Sequence, residues 1–390
     1  MKDIKPADRI SHVEEYYFSR KLKEVARMNA DGGVPVISLG IGGPDFMPSQ
    51  QTISALMEDV MKPDAHSYQS YVGLPALRKA WSDFYQHWYG VDFDPACEML
   101  PLIGSKEGIM HVSMALLNPG DKVLVPDPGY PTYTSVSRLV GAEIIKYDLT
   151  YEHSWEPDFD ALEATPGIDD VRLMWVNYPH MPTGHCASHQ LLQRIVDFGR
   201  RHNIIIVNDN PYSFILNDHP LSIMQIEGAR DICLEFNSMS KSHSMAGWRQ
   251  GIVVGNRTFI DWIIRVKSNV DSGMFRPMMK AAIAALNAPD DYFRQLNDAY
   301  RERRIAAEQI MEHLGCEYDP EQRGLFLWGR IPDRYANCEE LTEPILHKAR
   351  VFVTPGFIFG RNGERFVRIS LCAPLEKMKE ALLRIQAAGL

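Results

Sequence analysis

The stretch Glu235–Gly251 reads E-F-N-S-M-S-K-S-H-S-M-A-G-W-R-Q-G, and it places Lys241 among small hydroxyl residues, with Ser238 three positions before it and Arg249 eight after. An apolar run, Ile232–Phe236, leads into it, and a β-rich run, Gly251–Val254, leaves it. A primary amine held this way forms a Schiff base with a carbonyl, while a serine and an arginine in reach supply the donors that a phosphate dianion requires. Taken alone, the stretch also reads as an exposed lysine in a serine-rich loop. The chain around it separates the two readings.

Upstream, near-continuous apolar runs recur at Met99–Ile103, Val123–Pro126, Ala142–Tyr147, Arg172–Asn177, Ile204–Val207, Ile232–Phe236 and Gly251–Gly255. Helical or loop segments such as Glu107–Leu117 and Gln190–Arg201 separate most of them. Strands apolar on both faces belong to a sheet covered on both sides, so the pattern predicts an α/β domain around a mostly parallel, seven-stranded sheet. Before it, Thr52–Met61 and Leu74–Tyr89 have helical periodicity, as does the amphipathic segment Ile10–Asn29. After Thr258 the pattern becomes two long helical stretches, Phe259–Leu286 and Tyr292–Leu314, then strands at Leu325–Trp328, Val351–Val353 and Phe366–Leu371, and a helix over Leu375–Gln386. This predicts a smaller α+β domain over 287–390, a large domain over 46–286, and an N-terminal segment, 1–45, that joins the small one.

With 390 residues the chain exceeds the size at which one core stops growing. Its net charge of −9 argues against a nucleic-acid partner, and the run Arg301–Arg304 reads as the solvated face of a helix. Six scattered cysteines without a Cys-x-x-Cys pair suit reduced thiols in the cytoplasm. Met1–Arg9 is polar, unlike a signal peptide, and no apolar run approaches the roughly 18 residues that span a bilayer.

In open α/β sheets ligands collect where strands end. After Met99–Ile103 comes G-S-K-E-G, in which the Ser105 and Lys106 amides form a phosphate cradle at a helix N-terminus; Ser105 as a simple cap is the alternative. After Val123–Pro126, Tyr130 stands where an aromatic stacks on a planar ring. After Arg172–Asn177 a turn, N-Y-P-H-M-P-T-G, presents Asn177, His180 and Met181. Asp209 follows the strand I-I-I-V, where a carboxylate is costly without a positive partner such as a protonated ring nitrogen, and Tyr212 comes three residues later. With the Lys241 stretch, these strand ends match the parts of pyridoxal 5'-phosphate, an aromatic aldehyde bearing a pyridine nitrogen, a phenolic oxygen and a phosphate. Earlier, L-G-I-G-G-P-D tempts a dinucleotide reading, but Asp45 stands where the fingerprint needs glycine and Pro44 interrupts the helix; a backbone-lined turn near a ligand is expected instead. The set His180, His185, Cys186 and His189 fits no standard zinc spacing, so no metal is expected, and Ser188 reads as a helix N-cap.

From about Val36 onward the chain resembles the class I/II aminotransferases of fold type I, the aspartate aminotransferase superfamily, through S-x-S-K-x-x-x-x-x-G-W-R. The resemblance implies an enzyme that moves an amino group from an L-amino acid to a 2-oxo acid, with Lys241 as Schiff-base lysine and then general base. It implies that Ser238, Arg249 and the Ser105–Lys106 amides hold the phosphate, Tyr130 stacks on the ring, Asp209 pairs with the pyridinium and Tyr212 bonds the phenolic oxygen. By the same resemblance Tyr68 reaches the neighbouring subunit's phosphate in a homodimer, and Arg368 in F-V-R-I-S-L binds the substrate α-carboxylate, with Gly40 as a backbone contact to it. Members usually read N-P-T-G where this chain has M-P-T-G. Met181 thus removes a hydrogen bond to the phenolic oxygen, leaving Tyr212 alone unless His180 or Asn177 turns in, and the Schiff base is expected to titrate at higher pH. Two rivals are a carbon–sulfur β-lyase on the same fold, and a pyridoxal-sensing regulator, disfavoured by the acidic charge and by the about 35 residues before Val36, too few for a DNA-binding domain. Tyr16, Tyr17 and Phe18 are candidates to line a pocket for an apolar or aromatic side chain.

Overall fold

The computed structural model describes residues 4–12 and 17–390; Tyr16 and the part of the expected N-terminal helix over 13–16 lie outside them. The strands begin with β1 (Ile37–Ser38). Then come β2 (Met99–Leu102), β3 (Lys122–Asp127), β4 (Glu143–Asp148), β5 (Val171–Val176), β6 (Ile205–Asp209), β7 (Cys233–Ser238) and β8 (Gly251–Gly255). The last are β9 (Glu317–Tyr318), β10 (Phe326–Arg330), β11 (Val351–Phe352), β12 (Thr354–Pro355) and β13 (Phe366–Ser370).

Strands β2 to β8 form the seven-stranded sheet in the order β2-β8-β7-β6-β5-β3-β4. All neighbours run parallel except β8, which is antiparallel to β2 and β7. Alternate residues feed opposite faces: Val123, Val125, Leu173 and Trp175 join one apolar cluster, and Leu124, Met174 and Val176 the other. Trp175 is fully buried, with Tyr133 stacked on it at 5.1 Å between ring centroids. Truncating such a side chain to alanine costs about 3–5 kcal/mol.

The C-terminal part of the chain forms a second sheet, β12-β13-β10-β9. Strand β1 pairs in parallel with β11, which ties the N-terminal part of the chain to the C-terminal part. The helical stretch expected over Phe259–Leu286 is two helices, Arg257–Lys267 and Arg276–Leu286. Between them Asp271 accepts from the buried Lys267 ammonium at 2.6 Å and from the Gly273 amide at 2.8 Å, bonds that hold the chain in a turn. The helix Asp291–Leu314 then packs on the C-terminal helix Leu375–Ala387.

One expectation fails on this long helix. Arg303 belongs to the run read as a solvated face, yet it is 5% exposed. Its guanidinium makes a bidentate pair with Asp45 at 2.6 and 2.9 Å, donates to Leu371 O at 3.0 Å, and lies 4.0 Å from the Phe46 ring centre. A partner 258 residues away in the sequence supplies the compensation that burial of the charge requires.

Candidate active site

A cavity of about 980 Å³ opens between the carboxyl ends of the large sheet, the C-terminal residues Phe326, Phe359 and Arg368, and the helix Tyr17–Ala30. Ser105, Lys106, Tyr130, Asp209, Tyr212, Ser238, Lys241, Arg249 and Arg368 all line it. Strands that lie side by side bring their last residues to one edge, and so residues spread over most of the chain converge there.

One end of the cavity is a cradle for an anion. Gly104, at φ +80, caps the helix Ser105–Leu116, so Ser105 opens the helix and the glycine is its cap. A side-chain carbon on Gly104 would collide with the Arg249 guanidinium, so only glycine lets that cation approach the helix N-terminus. Arg249 donates to Ala246 O at 2.8 Å and reaches Ser240 Oγ at 3.4 Å. Ser238 Oγ accepts from the Ser240 amide at 3.2 Å and donates to Ser240 Oγ at 2.9 Å. Helix amides without intrahelical acceptors, a positive helix end, two hydroxyls and a guanidinium together suit a phosphate. Ser240 was not singled out from the sequence; its position directly before Lys241 in S-x-S-K carried the signal.

Asp209 closes β6 and is buried. Tyr133 donates to its Oδ2 at 2.8 Å, while Oδ1 has no partner. Burial pushes the carboxyl up to about 6, opposed by the Tyr133 bond and by the positive charge of Lys241. Tyr133 itself escaped the sequence reading because nothing in P-T-Y distinguishes it from a packing residue. Tyr130 lies beside it, edge to face at 5.5 Å between centroids.

The turn after β5 shows how the M-P-T-G departure is accommodated. Asn177 donates through Nδ2 to Asp209 O and accepts through Oδ1 from the Met181 amide at 2.8 Å, so both ends of its side chain hold backbone. His180 shares a 2.8 Å bond with Thr183 Oγ1 and is pushed down to about 3 by burial and the neighbouring His185. Asn177 nevertheless lines the cavity together with Tyr212. Met181 lines the cavity, and its Sδ accepts from Arg368 Nη1 at 3.3 Å. Downstream, Ser188 caps its helix by accepting from the Leu191 amide at 3.0 Å, as its sequence position suggested.

Lys241 Nζ donates to Gly42 O across the cavity. Burial lowers the ammonium's pKa, and the charges of Arg368 and Arg249 push the same way against Cys372 and Asp209. Arg368, on β13, is buried between aromatic rings, 3.9 Å from the Phe326 centre and 4.6 Å from that of Phe359. It donates to Gly40 O at 2.8 Å. Gly40 therefore stands behind the wall: its carbonyl holds Arg368 and Thr354 Oγ1, and the backbone facing the cavity is Ile41–Gly43. The turn's glycines serve close packing, since a side-chain carbon on Gly42 would enter the Phe326 ring. Tyr68 lies apart from this cavity, 90% exposed.

The fold and this site define a class. The aminotransferase class I and II profile matches residues 34–385, and the chain belongs to that family. It is 38% identical over 388 residues to an LL-diaminopimelate aminotransferase of Nitratidesulfovibrio vulgaris, with 99% of each chain covered. The LL-diaminopimelate aminotransferase of Halothermothrix orenii is 39% identical over 382 residues, 97% of each chain. Among solved structures, apo-BacF of Bacillus subtilis superposes with a TM-score of 0.94 at 34% identity, covering 100% of this chain and 99% of that one. The protein is thus an aminotransferase, and the β-lyase alternative finds no support among these relatives.

Proposed function

We propose that the enzyme works through pyridoxal 5'-phosphate joined to Lys241 Nζ, and that its large domain spans 46–286 and its small domain 287–390. The observation that carries the cofactor reading is Asp209. A buried carboxylate with one oxygen unpartnered, in the same cavity as an anion cradle and a buried lysine, suits a cofactor bearing a cationic nitrogen, a phosphate and an aldehyde. Ser105, Lys106, Ser238, Ser240 and Arg249 would hold the phosphate, Tyr130 would stack on the ring, and Tyr212 would bond its phenolic oxygen. When bound, the cofactor supplies an electron-withdrawing ring conjugated to the carbon that receives the substrate amine.

The chain's own residues do the rest. Arg368 orients the substrate by its α-carboxylate, a bidentate task that suits a planar guanidinium already stripped of water by aromatic rings. Lys241 Nζ, freed by the substrate amine, would take the proton from the substrate α-carbon, and burial, which lowers its pKa, favours the neutral amine that this task needs. Asp209, once it faces a cation, stays ionised and fixes that charge in place.

We further propose a cytoplasmic homodimer in which Tyr68 serves the partner's phosphate site. Six free cysteines and the absence, among the described residues, of a helix able to cross a membrane agree with the location. The exposure of Tyr68, Tyr71, Val270 and Phe275 agrees with a covered face. The test of the activity is amino transfer from an L-amino acid to 2-oxoglutarate or pyruvate. Consumption of the donor with release of ammonia, independent of any 2-oxo acid, would overturn it.

A further inference from the structure

Strands β3 and β4 end on two aspartates paired in register, Asp127 and Asp148, and both hold the turn that follows Phe359. Asp127 is fully buried. Its Oδ2 accepts from Lys146 Nζ at 2.9 Å and from the Arg361 amide at 3.2 Å, and its Oδ1 accepts from the Asn362 amide at 3.1 Å. Asn362 Nδ2 donates in return to Asp127 O at 2.9 Å and to Asp148 Oδ1 at 2.8 Å. Gly360, at φ +145, completes the fit, because a side-chain carbon there would run into the Asp127 carboxylate. Asp148 takes Arg361 Nη2 at 2.6 Å at the surface, where an ion pair adds little.

The turn bears on the cavity. Gly129, two residues after Asp127, donates its amide to Phe359 O at 2.8 Å, so the exit from β3 and the cavity wall are joined a second time. Phe359 lines the cavity, and its ring centre lies 4.6 Å from the Arg368 guanidinium carbon. Tyr130, the residue after Gly129, lines the same cavity. A buried ion pair adds little stability over apolar packing. A carboxylate bonded to two successive backbone amides adds something else, a fixed position for the chain, since the amides move only if the backbone moves.

Resting on the aminotransferase reading, and on Arg368 as the carboxylate anchor, we propose that Asp127 is a positioning residue for the substrate. It seats the turn Gly360–Asn362 on the sheet, and through that turn it holds Phe359 beside Arg368 and in register with Tyr130. The residue acts through backbone and lies behind the cavity wall.

The test compares Asp127→Asn, Gly360→Ala and Arg361→Ala as holoenzymes. Asparagine keeps the volume but turns an N–H toward an amide, so one of the two backbone bonds is lost. Alanine at 360 pushes on the same contact from the turn's side. Arg361→Ala removes only the exposed pair with Asp148. In the first two variants the KM for the 2-oxo acid, and the Kd of propionate by calorimetry, should rise about tenfold, with kcat and the affinity for pyridoxal phosphate within about twofold of the parent. Arg361→Ala should move none of these by more than about twofold. If one of the first two variants fails to fold, the other makes the same comparison. Failure of both to fold, a loss confined to kcat or to cofactor affinity, no change in KM and propionate binding, or an equal loss in Arg361→Ala overturns the assignment. A parent that binds propionate yet transfers no amino group, with Asp127→Asn weakening propionate, supports the seat and overturns the amino-transfer reading instead.

Discussion

At the inner end of the cavity, Asp209 and Ser238 close β6 and β7, Ser105 and Lys106 follow β2, and Lys241 and Arg249 lie in the turn between β7 and β8. At the outer end, the walls are a face of the helix Tyr17–Ala30, the turn after β1, and Phe326 and Phe359 from the C-terminal part of the chain. The first set is fixed by a sheet buried on both faces. The second is brought together by tertiary packing alone, through β1 on β11 and the Arg303–Asp45 pair. The inner end thus carries the groups proposed for the chemistry, and the outer end those that would meet the substrate side chain.

Substitutions that break this contrast range from severe to slight. Lys241→Ala removes the anchor and the base together, and turnover should fall at least about a thousandfold by steady-state assay. Asp209→Asn should lower kcat by about a hundredfold and have an opposite effect on the cofactor-free fold. Burial raises the Asp209 pKa from 3.8 to about 6, so between these values the folded chain binds more protons than the unfolded one and loses stability as pH rises. Above about pH 6 the asparagine should therefore stabilise the cofactor-free chain, by at most about 3 kcal/mol, in urea titrations. With cofactor bound the gain should vanish, and a gain that persists would contradict pairing with a cation. Arg368→Lys loses bidentate binding and should reduce kcat/KM about 10- to 100-fold, mostly through KM.

Asp45→Ala leaves Arg303 buried without its partner and should cost about 3 kcal/mol by denaturant melts, with KM rising as the Gly42–Asp45 turn loosens. Met181→Asn should have the smallest effect. It puts an amide donor on the wall of the cavity that Tyr212 also lines, and should move the pH midpoint of the bound cofactor's absorbance down by about one unit. An unchanged or higher midpoint would contradict the role assigned to the missing hydrogen bond.

The same contrast explains what the sequence disclosed. Asp209 closes its strand, and Lys241 and the Ser105 loop follow theirs within a few positions, so apolar runs and what ends them drew attention to residues that the structure brings to one cavity. Tyr133 and Ser240 were hidden because their roles depend on which atom they touch, Asp209 Oδ2 and Arg249 Nη1. The long-range pairings were illegible for a physical reason: Arg303 has a helix-surface pattern and a buried environment, because Asp45 comes to it from 258 residues away. Gly40 was found by motif, but a motif does not say which way a carbonyl points, and here it points to Arg368. The helix break at 268–275 rests on a buried lysine–aspartate pair that periodicity does not register.

The proposed chemistry depends above all on where the cofactor is attached. Borohydride reduction of the enzyme loaded with pyridoxal phosphate, followed by peptide mass mapping, should place a single pyridoxyl group on Lys241. A label on Lys23 or Lys106 instead, or an enzyme active without any label forming, would contradict it.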